Sequence, residues 1–252
     1  MTAAVILAAG QGTRLRDVVS EGPKGFLRLG NKPIVQESLE RLLAAGIEEI
    51  VIVTGYSSGH YEELASLYNG KVRTIHNEKF AESGSMYSLY HARHLVKGQF
   101  LLLESDLVYE PRALQVLMEH SAGEAILISG PTHAGDEVYV STKDGNLDGM
   151  SKDPSELDGE ISGELVGISK ISEELFAHML NKSETAFETS LKYDYETDAL
   201  VAAGKEIAIP CPLVTDLLWA EIDDLRHLQR ARSEIYPKIR HAAASNLVNS
   251  TS

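Results

Sequence analysis

Ala3-Ala4-Val5-Ile6-Leu7-Ala8-Ala9 is an unbroken apolar run, and it stops at Gly10-Gln11-Gly12-Thr13-Arg14-Leu15-Arg16, a turn with two glycines and two arginines. Unbroken apolarity fits a strand buried on both faces, as parallel sheets require, better than it fits a half-exposed strand. The signature recurs at Ile50-Val51-Ile52-Val53-Thr54 before Gly55, at Phe100-Leu101-Leu102-Leu103 before Glu104, and at Ala125-Ile126-Leu127-Ile128 before Ser129. Between the first two runs, Ile34, Val35, Leu39, Leu42 and Leu43 fall at helical spacing and end at Gly46, a glycine stop. Ser85 to Val96 and Pro111 to His120 supply further helices, the second with proline in its first turn. Strands alternating with helices predict an α/β fold with a doubly wound, mostly parallel sheet.

The second half reads differently. From Asp136 to Gly167 the chain has short alternating stretches such as Val138-Tyr139-Val140, with turn pairs Asp144-Gly145 and Asp158-Gly159. This predicts a small antiparallel insertion or lid over about residues 130–170. Helical patterns resume at Glu173 to Leu180 and Glu196 to Ala203, and Ile207-Ala208-Ile209 and Trp219-Ala220-Glu221-Ile222 read as late strands. Asp224 to Ile239 forms an amphipathic helix, with Asp223 or Asp224 able to cap it. No linker separates independent units, so residues 1–241 are expected to form one domain, followed by a flexible tail over 242–252.

Of the 252 residues, 43% are hydrophobic and 24% charged, and the net charge is −14. Such a charge excludes a general nucleic-acid or anionic-membrane binder, so an anionic ligand needs a local basic pocket or a metal. The lone Cys211 allows no intrachain disulfide. The first apolar run is too short to cross a bilayer and lacks a basic leader, which makes the cytoplasm the expected location. Oligomeric state is left open, a homodimer included.

The chemistry concentrates in the turn after the first strand. Leu7-Ala8-Ala9-Gly10-Gln11-Gly12-Thr13-Arg14-Leu15 is followed by Pro23-Lys24. Glycines and small alanines let backbone N–H groups approach a phosphate closely, Arg14 adds a forked donor and Lys24 a compact ammonium. A flexible loop whose cations balance nearby acids is the alternative for a bare Gly-x-Gly. The third glycine of a dinucleotide fingerprint and the Gly-Lys-Ser/Thr of a P-loop are both absent. With Arg14, Pro23 and Lys24 included, the segment resembles the sugar-phosphate nucleotidyltransferase superfamily, Rossmann-like enzymes that join a phosphorylated small molecule to an NTP and release pyrophosphate. The resemblance implies that Leu7, Ala8, Ala9, Gly10, Gly12, Thr13 and Arg14 wrap the triphosphate. It also implies that Lys24, with Arg14, stabilises charge at the α-phosphate under attack.

Glu104-Ser105-Asp106 follows a strand at the carboxyl end of the sheet, and Glu221 and Asp223 share one face of a late strand. Asp106 and Asp223 could each simply cap a following helix; the resemblance implies instead that they hold Mg²⁺. The stretch from Asn77 to Tyr90, with Tyr87-Ser88-Leu89-Tyr90, is similar to phosphocholine cytidylyltransferases and implies CTP, contacted by Ser83, Gly84 and Ser85. Ser129-Gly130-Pro131-Thr132, Gly135 to Val140, Met150-Ser151-Lys152, Gly163 to Ile168 and Trp219 to Asp223 together resemble 2-aminoethylphosphonate cytidylyltransferases. That acceptor has a primary ammonium, which carboxylates hold, whereas choline needs an aromatic cage. Asp136, Glu137 and Glu164 are the acids of the lid, and Tyr139, Tyr193, Tyr195 and Trp219 are its sparse aromatics. The expected acceptor contacts are Ser129, Glu137, Tyr139, Lys152 and Glu164; a solvated acidic face and a surface lysine are the alternatives. The expected reaction is in-line attack of the acceptor oxygen on the α-phosphorus of CTP.

Overall fold

The computed structural model describes residues 1–15 and 22–249, with side chains as far as residue 242. Arg16 and residues 250–252 lie outside the described set. Strand β1 (Ala3–Ala8) is followed by α1 (Ile34–Ala44), β2 (Glu49–Thr54), α2 (Ser58–Ser66), β3 (Val72–His76) and α3 (Ser85–His91). Then come β4 (Phe100–Glu104), β5 (Leu107–Tyr109), α4 (Arg112–Glu119) and β6 (Ala125–Ser129). The insertion supplies β7 (Tyr139–Lys143), β8 (Asn146–Ser151) and β9 (Ile161–Ile171). After α5 (Glu173–Phe187), a π-helical turn (Tyr195–Leu200) runs into α6 (Val201–Gly204). The chain closes with β10 (Leu213–Val214), β11 (Trp219–Glu221), α7 (Leu225–Arg230), a second π-helical turn (Ala231–Ile235) and α8 (Tyr236–Asn249).

The main sheet runs β10-β6-β9-β4-β1-β2-β3, with β7 added along β9 and β8 along β7. β1 pairs in parallel with β2 and β4, and β2 in parallel with β3. Both faces of β1 are buried. Ala4, Ile6 and Ala8 pack with Leu39 and Leu42 of α1 and Leu117 of α4. Val5 and Leu7 face the opposite way, onto Met86 and Leu89 of α3 and Leu175 of α5. The apolar run with no polar alternation thus has its cause in helices on both sides of the strand. No helix among the described residues is long and apolar enough to cross a membrane.

Two expectations need correction. β9, read as part of a lid, lies at the centre of the sheet, antiparallel to both β4 and β6. Its far end carries the β7–β8 hairpin, so the insertion extends the core sheet. Ile207–Ile209 is not a strand. Pro210 and Pro212 have no N–H to continue a ladder, although their carbonyls accept from the Ile126 and Ile128 amides. The paired segment comes later, at β10. α8 continues past residue 241 as far as Asn249.

Candidate active site

Three chain segments meet at the carboxyl end of β1. Leu7, Ala8 and Ala9 are buried, so their side chains belong to the core and only their backbone faces the turn. Gly10 is exposed with open space where a Cβ would stand. Gly12 adopts φ +58°, and a Cβ there would lie 3.0 Å from Lys24 Cγ, so its bare backbone packs on the lysine stem. Thr13 and Arg14 are exposed on a short 3₁₀ turn that follows. The Lys24 segment docks through Gly25, whose Cβ would meet the Tyr61 hydroxyl at 2.8 Å and the Ser105 carbonyl at 3.1 Å. Glycine is the residue that lets Lys24 arrive beside Asp106.

Backbone pairing brings the two carboxylate segments together. β11 is antiparallel to β5, with Glu221 opposite Leu107, and the Ile222 amide donates to the Asp106 carbonyl at 3.2 Å. Asp106 and Asp223 are 7% and 8% exposed. Lys24 Nζ donates to Asp106 Oδ2 at 3.0 Å and to Asp223 Oδ1. Arg14 reaches Asp223 at 3.7 Å and Asp136 at 3.9 Å, with its side chain 60% exposed. Carboxylate oxygens of Asp106, Glu221 and Asp223 lie within 4.8 Å of one another, and so do ligand atoms of Asp136, Asp223 and His227. Asp106 Oδ1 is buried without a hydrogen-bond partner.

These charges reset one another. Burial alone would lower the Lys24 pKa, but the Asp106 and Asp223 charges outweigh it and hold the ammonium well above its ordinary range. For Asp223, burial acts to raise the pKa; Lys24 overcomes it and brings the carboxyl down to about 2. Desolvation, then the charges of Asp106 and Asp223, push Glu221 well above the usual carboxylate range. Glu104 is raised too, by desolvation and then by Glu196, Asp106 and Glu221. Tyr195, fully buried, hydrogen-bonds Glu104.

Beside this cluster lies a small pocket of about 40 Å³, lined by Glu104, Asp136, Glu137, Glu196, Glu221 and Arg230 among others. Of the expected acceptor residues, Glu137 borders it. Tyr139 and Glu164 line a neighbouring depression with Pro131 and His133, which Glu137 also borders. Glu164 accepts the Thr132 amide at 2.9 Å, and the Glu137 carboxylate accepts the Gly135 amide at 3.0 Å. Lys152 is exposed, and its charge acts on Glu196. Ser129 is buried behind the pocket; its hydroxyl accepts from Trp219 Nε1 at 2.9 Å and donates to the Gly130 carbonyl at 3.0 Å.

Ser83, Gly84 and Ser85 begin α3, and this start is sealed by the segment before the first π-helical turn. The Ser83 hydroxyl accepts from Asn77 Nδ2 at 3.0 Å. A Cβ at Gly84 would meet the Tyr193 carbonyl at 2.6 Å. The Ser85 amide donates to Asp194 at 3.0 Å, and its hydroxyl donates to Glu196 at 3.1 Å. Ser85's donors are therefore committed to this acidic segment. Glu196 and His227 gave no sequence signal as site residues, and Glu104 stood out only as the neighbour of Asp106. Each is a lone side chain on a helix or strand end, and only the tertiary pairing of distant segments brings them together.

A match to the family model for the MobA-like NTP transferase domain spans residues 4–236. The choline-phosphate cytidylyltransferase of Streptococcus pneumoniae is 28% identical over 153 residues, 57% of this chain and 66% of that protein. The CMP-5'-(3-aminopropyl)phosphonate synthase of Streptomyces rubellomurinus is 29% identical over 233 residues, 88% of this chain but 37% of that protein. The chain thus spans less than two thirds of each of these relatives. The structure of an inositol-1-phosphate CTP transferase from T. maritima superposes with a TM-score of 0.79 at 21% identity, covering 95% of this chain and 96% of that one; it has the same fold. With a basic turn after β1, paired carboxylates at the ends of β4 and β11, and a family match over nearly its whole length, the chain belongs to the MobA-like NTP transferase domain family.

Proposed function

We propose that the chain transfers CMP from CTP to 2-aminoethylphosphonate, giving CMP-2-aminoethylphosphonate and pyrophosphate. The observation that carries the acceptor is the pocket's composition: five acidic side chains converge on it beside the Lys24 cluster, against one cation, Arg230. A primary ammonium donates three hydrogen bonds and is matched by such a surround. A quaternary head group donates none and needs open aromatic faces. Tyr195 and Trp219 are the aromatic residues that line the pocket, and both are almost wholly buried, so little open ring face is offered to a quaternary head. The names of the relatives support a cytidine nucleotide, and one of them pairs it with an aminoalkylphosphonate. Phosphocholine transfer is the second reading, favoured by the Streptococcus pneumoniae relative.

The site suits a hard divalent cation. Asp106 presents a buried oxygen with no partner, and Glu221 and Asp223 add carboxylate oxygens at close range. Mg²⁺ takes one or two carboxylates together with phosphate oxygens and water. Asp106 and Asp223 would hold it, and when bound it supplies charge neutralisation at the α-phosphate. The backbone of Gly10 to Thr13 cradles the triphosphate, while Arg14 and Lys24 balance charge on the α-phosphate and the departing pyrophosphate. The acceptor oxygen is already ionised at neutral pH and needs no general base. A bond forms from that oxygen to the α-phosphorus as the bond to the bridging oxygen of pyrophosphate breaks. Glu104, Glu196 and Glu221 hold the ammonium end, so that only the phosphonate faces the nucleotide.

Pyrophosphate release measured with each of the four NTPs against 2-aminoethylphosphonate, phosphoethanolamine and phosphocholine tests the reading. The expected result is turnover with CTP and a kcat/KM at least tenfold higher for the aminoethylphosphonate than for phosphocholine. A preference for phosphocholine would replace the first reading with the second.

A further inference from the structure

His227 has no role in the chemistry above, yet it is 3% exposed and its ring joins two parts of the site. It lies in α7, four residues after Asp223, and its own amide donates to Asp224, which caps the helix. The Asp223 amide donates to His227 Nδ1 at 3.3 Å. That bond assigns the lone pair to Nδ1 and the proton to Nε2. Nε2 lies 3.1 Å from the Ala134 carbonyl and 3.3 Å from Asp136 Oδ1. Ala134 and Asp136 belong to the connection between β6 and β7 and line the acidic pocket. One ring therefore anchors the backbone of Asp223 through one nitrogen and the pocket wall through the other.

We propose that His227 is a positioning residue that sets the Asp223 carboxylate and the 132–138 wall in register, so that the nucleotide and acceptor halves of the site are assembled together. The inference rests on the proposed transfer reaction for its kinetic part only. Asp223 holds the Lys24 ammonium and would hold the cation that neutralises charge at the α-phosphate, where a displacement on the order of 1 Å costs up to about a hundredfold in rate. The wall carries Asp136 and Glu137, and its freedom is paid in acceptor affinity. Two isosteric replacements separate the two bonds. In His227→Asn, the amide oxygen occupies the Nδ1 position and keeps the Asp223 anchor while releasing the wall. In His227→Gln, the amide nitrogen reaches the Nε2 position and keeps the wall while releasing Asp223.

The expected result is a split. H227N raises the acceptor KM about tenfold with kcat within about threefold, and H227Q lowers kcat about tenfold with the acceptor KM within about threefold, the scale of one hydrogen bond. Amide hydrogen exchange read without substrate should speed up over residues 132–138 in H227N and stay at the wild-type rate in H227Q. Nitrogen NMR of the histidine-labelled wild-type chain should show a proton on His227 Nε2, in slow exchange with water, and none on Nδ1. Equal kinetic losses in both variants, or unchanged exchange over 132–138 in H227N, would overturn the proposal. So would a His227 proton on Nδ1, a result that needs no variant to fold. If the wild-type chain turned over no CTP, the transfer reading would fall, and the exchange and NMR results would still decide the role of His227.

Discussion

Lys24 carries its charge on a stem held along its length. Gly12 covers the alkyl chain, Gly25 seats the backbone against Ser105, and Asp106 and Asp223 hold the ammonium. An ion pair this enclosed is costly to break from one side, because the remaining carboxylates are left buried and uncompensated. Lys24→Met is expected to lower the rate of pyrophosphate release by about 10²–10³, the usual loss for one preorganised charge contact. Lys24→Arg should recover little of it, since a planar guanidinium does not fit a space shaped for a point charge. Steady-state assays of both variants, with unfolding curves to establish that they fold, check this. The turn and the two aspartates stand out in the sequence because each closely follows an apolar strand run, whereas Lys24 is reached only through the family resemblance that Pro23-Lys24 carries. The partnership of Asp136 with Arg14 and His227 is not legible there. No periodicity tells a lid acid that it will face a helix ninety residues away.

At the scale of elements, the start of α3 and the segment leading into the first π-helical turn form one joint. Gly84 lets them touch backbone to backbone, and Ser85 bonds to both Asp194 and Glu196. Gly84→Ala should force the joint apart, because the added methyl would lie 2.6 Å from the Tyr193 carbonyl and 2.7 Å from its amide nitrogen, contacts no side-chain rotation relieves. The expected outcome is a stability loss of roughly 1–3 kcal/mol, as for other overpacked sites. Denaturant melts of the variant measure the effect. β1, β2, β4 and β6 were readable because burial on both faces leaves the same mark wherever it occurs. The place of β9 was not readable. Its neighbours are chosen by the whole sheet, and Gly163 and Gly167 interrupt a pattern that otherwise continues to Ile171.

For the molecule as a whole, the net charge of −14 is concentrated, in part, where it costs most. Desolvation, followed by mutual repulsion, raises Glu104 and Glu221, and Glu196 is raised as well. A carboxyl with a folded pKa above its unfolded value binds more protons in the folded chain. Stability is then lost as pH rises from the unfolded value near 4.5 through the raised folded values. Asp223 works in the opposite sense, its contribution fading only as pH falls from the ordinary 3.8 toward about 2. Without ligands, thermal stability should therefore decline from pH 5.5 to pH 8. Glu104→Gln should flatten that decline and raise Tm at pH 8 by roughly 2–4 °C, equivalent to about 1 kcal/mol in a chain of this size. Calorimetric scans across that range decide the matter. β9 carries a mechanical consequence. It is a single beam of 11 residues, clamped between β4 and β6 at one end and bearing the β7–β8 hairpin at the other. A hairpin mounted on such a beam does not swing as a flap would. Glu164, which stands where the beam meets both β6 and β7, is therefore placed by the core sheet itself.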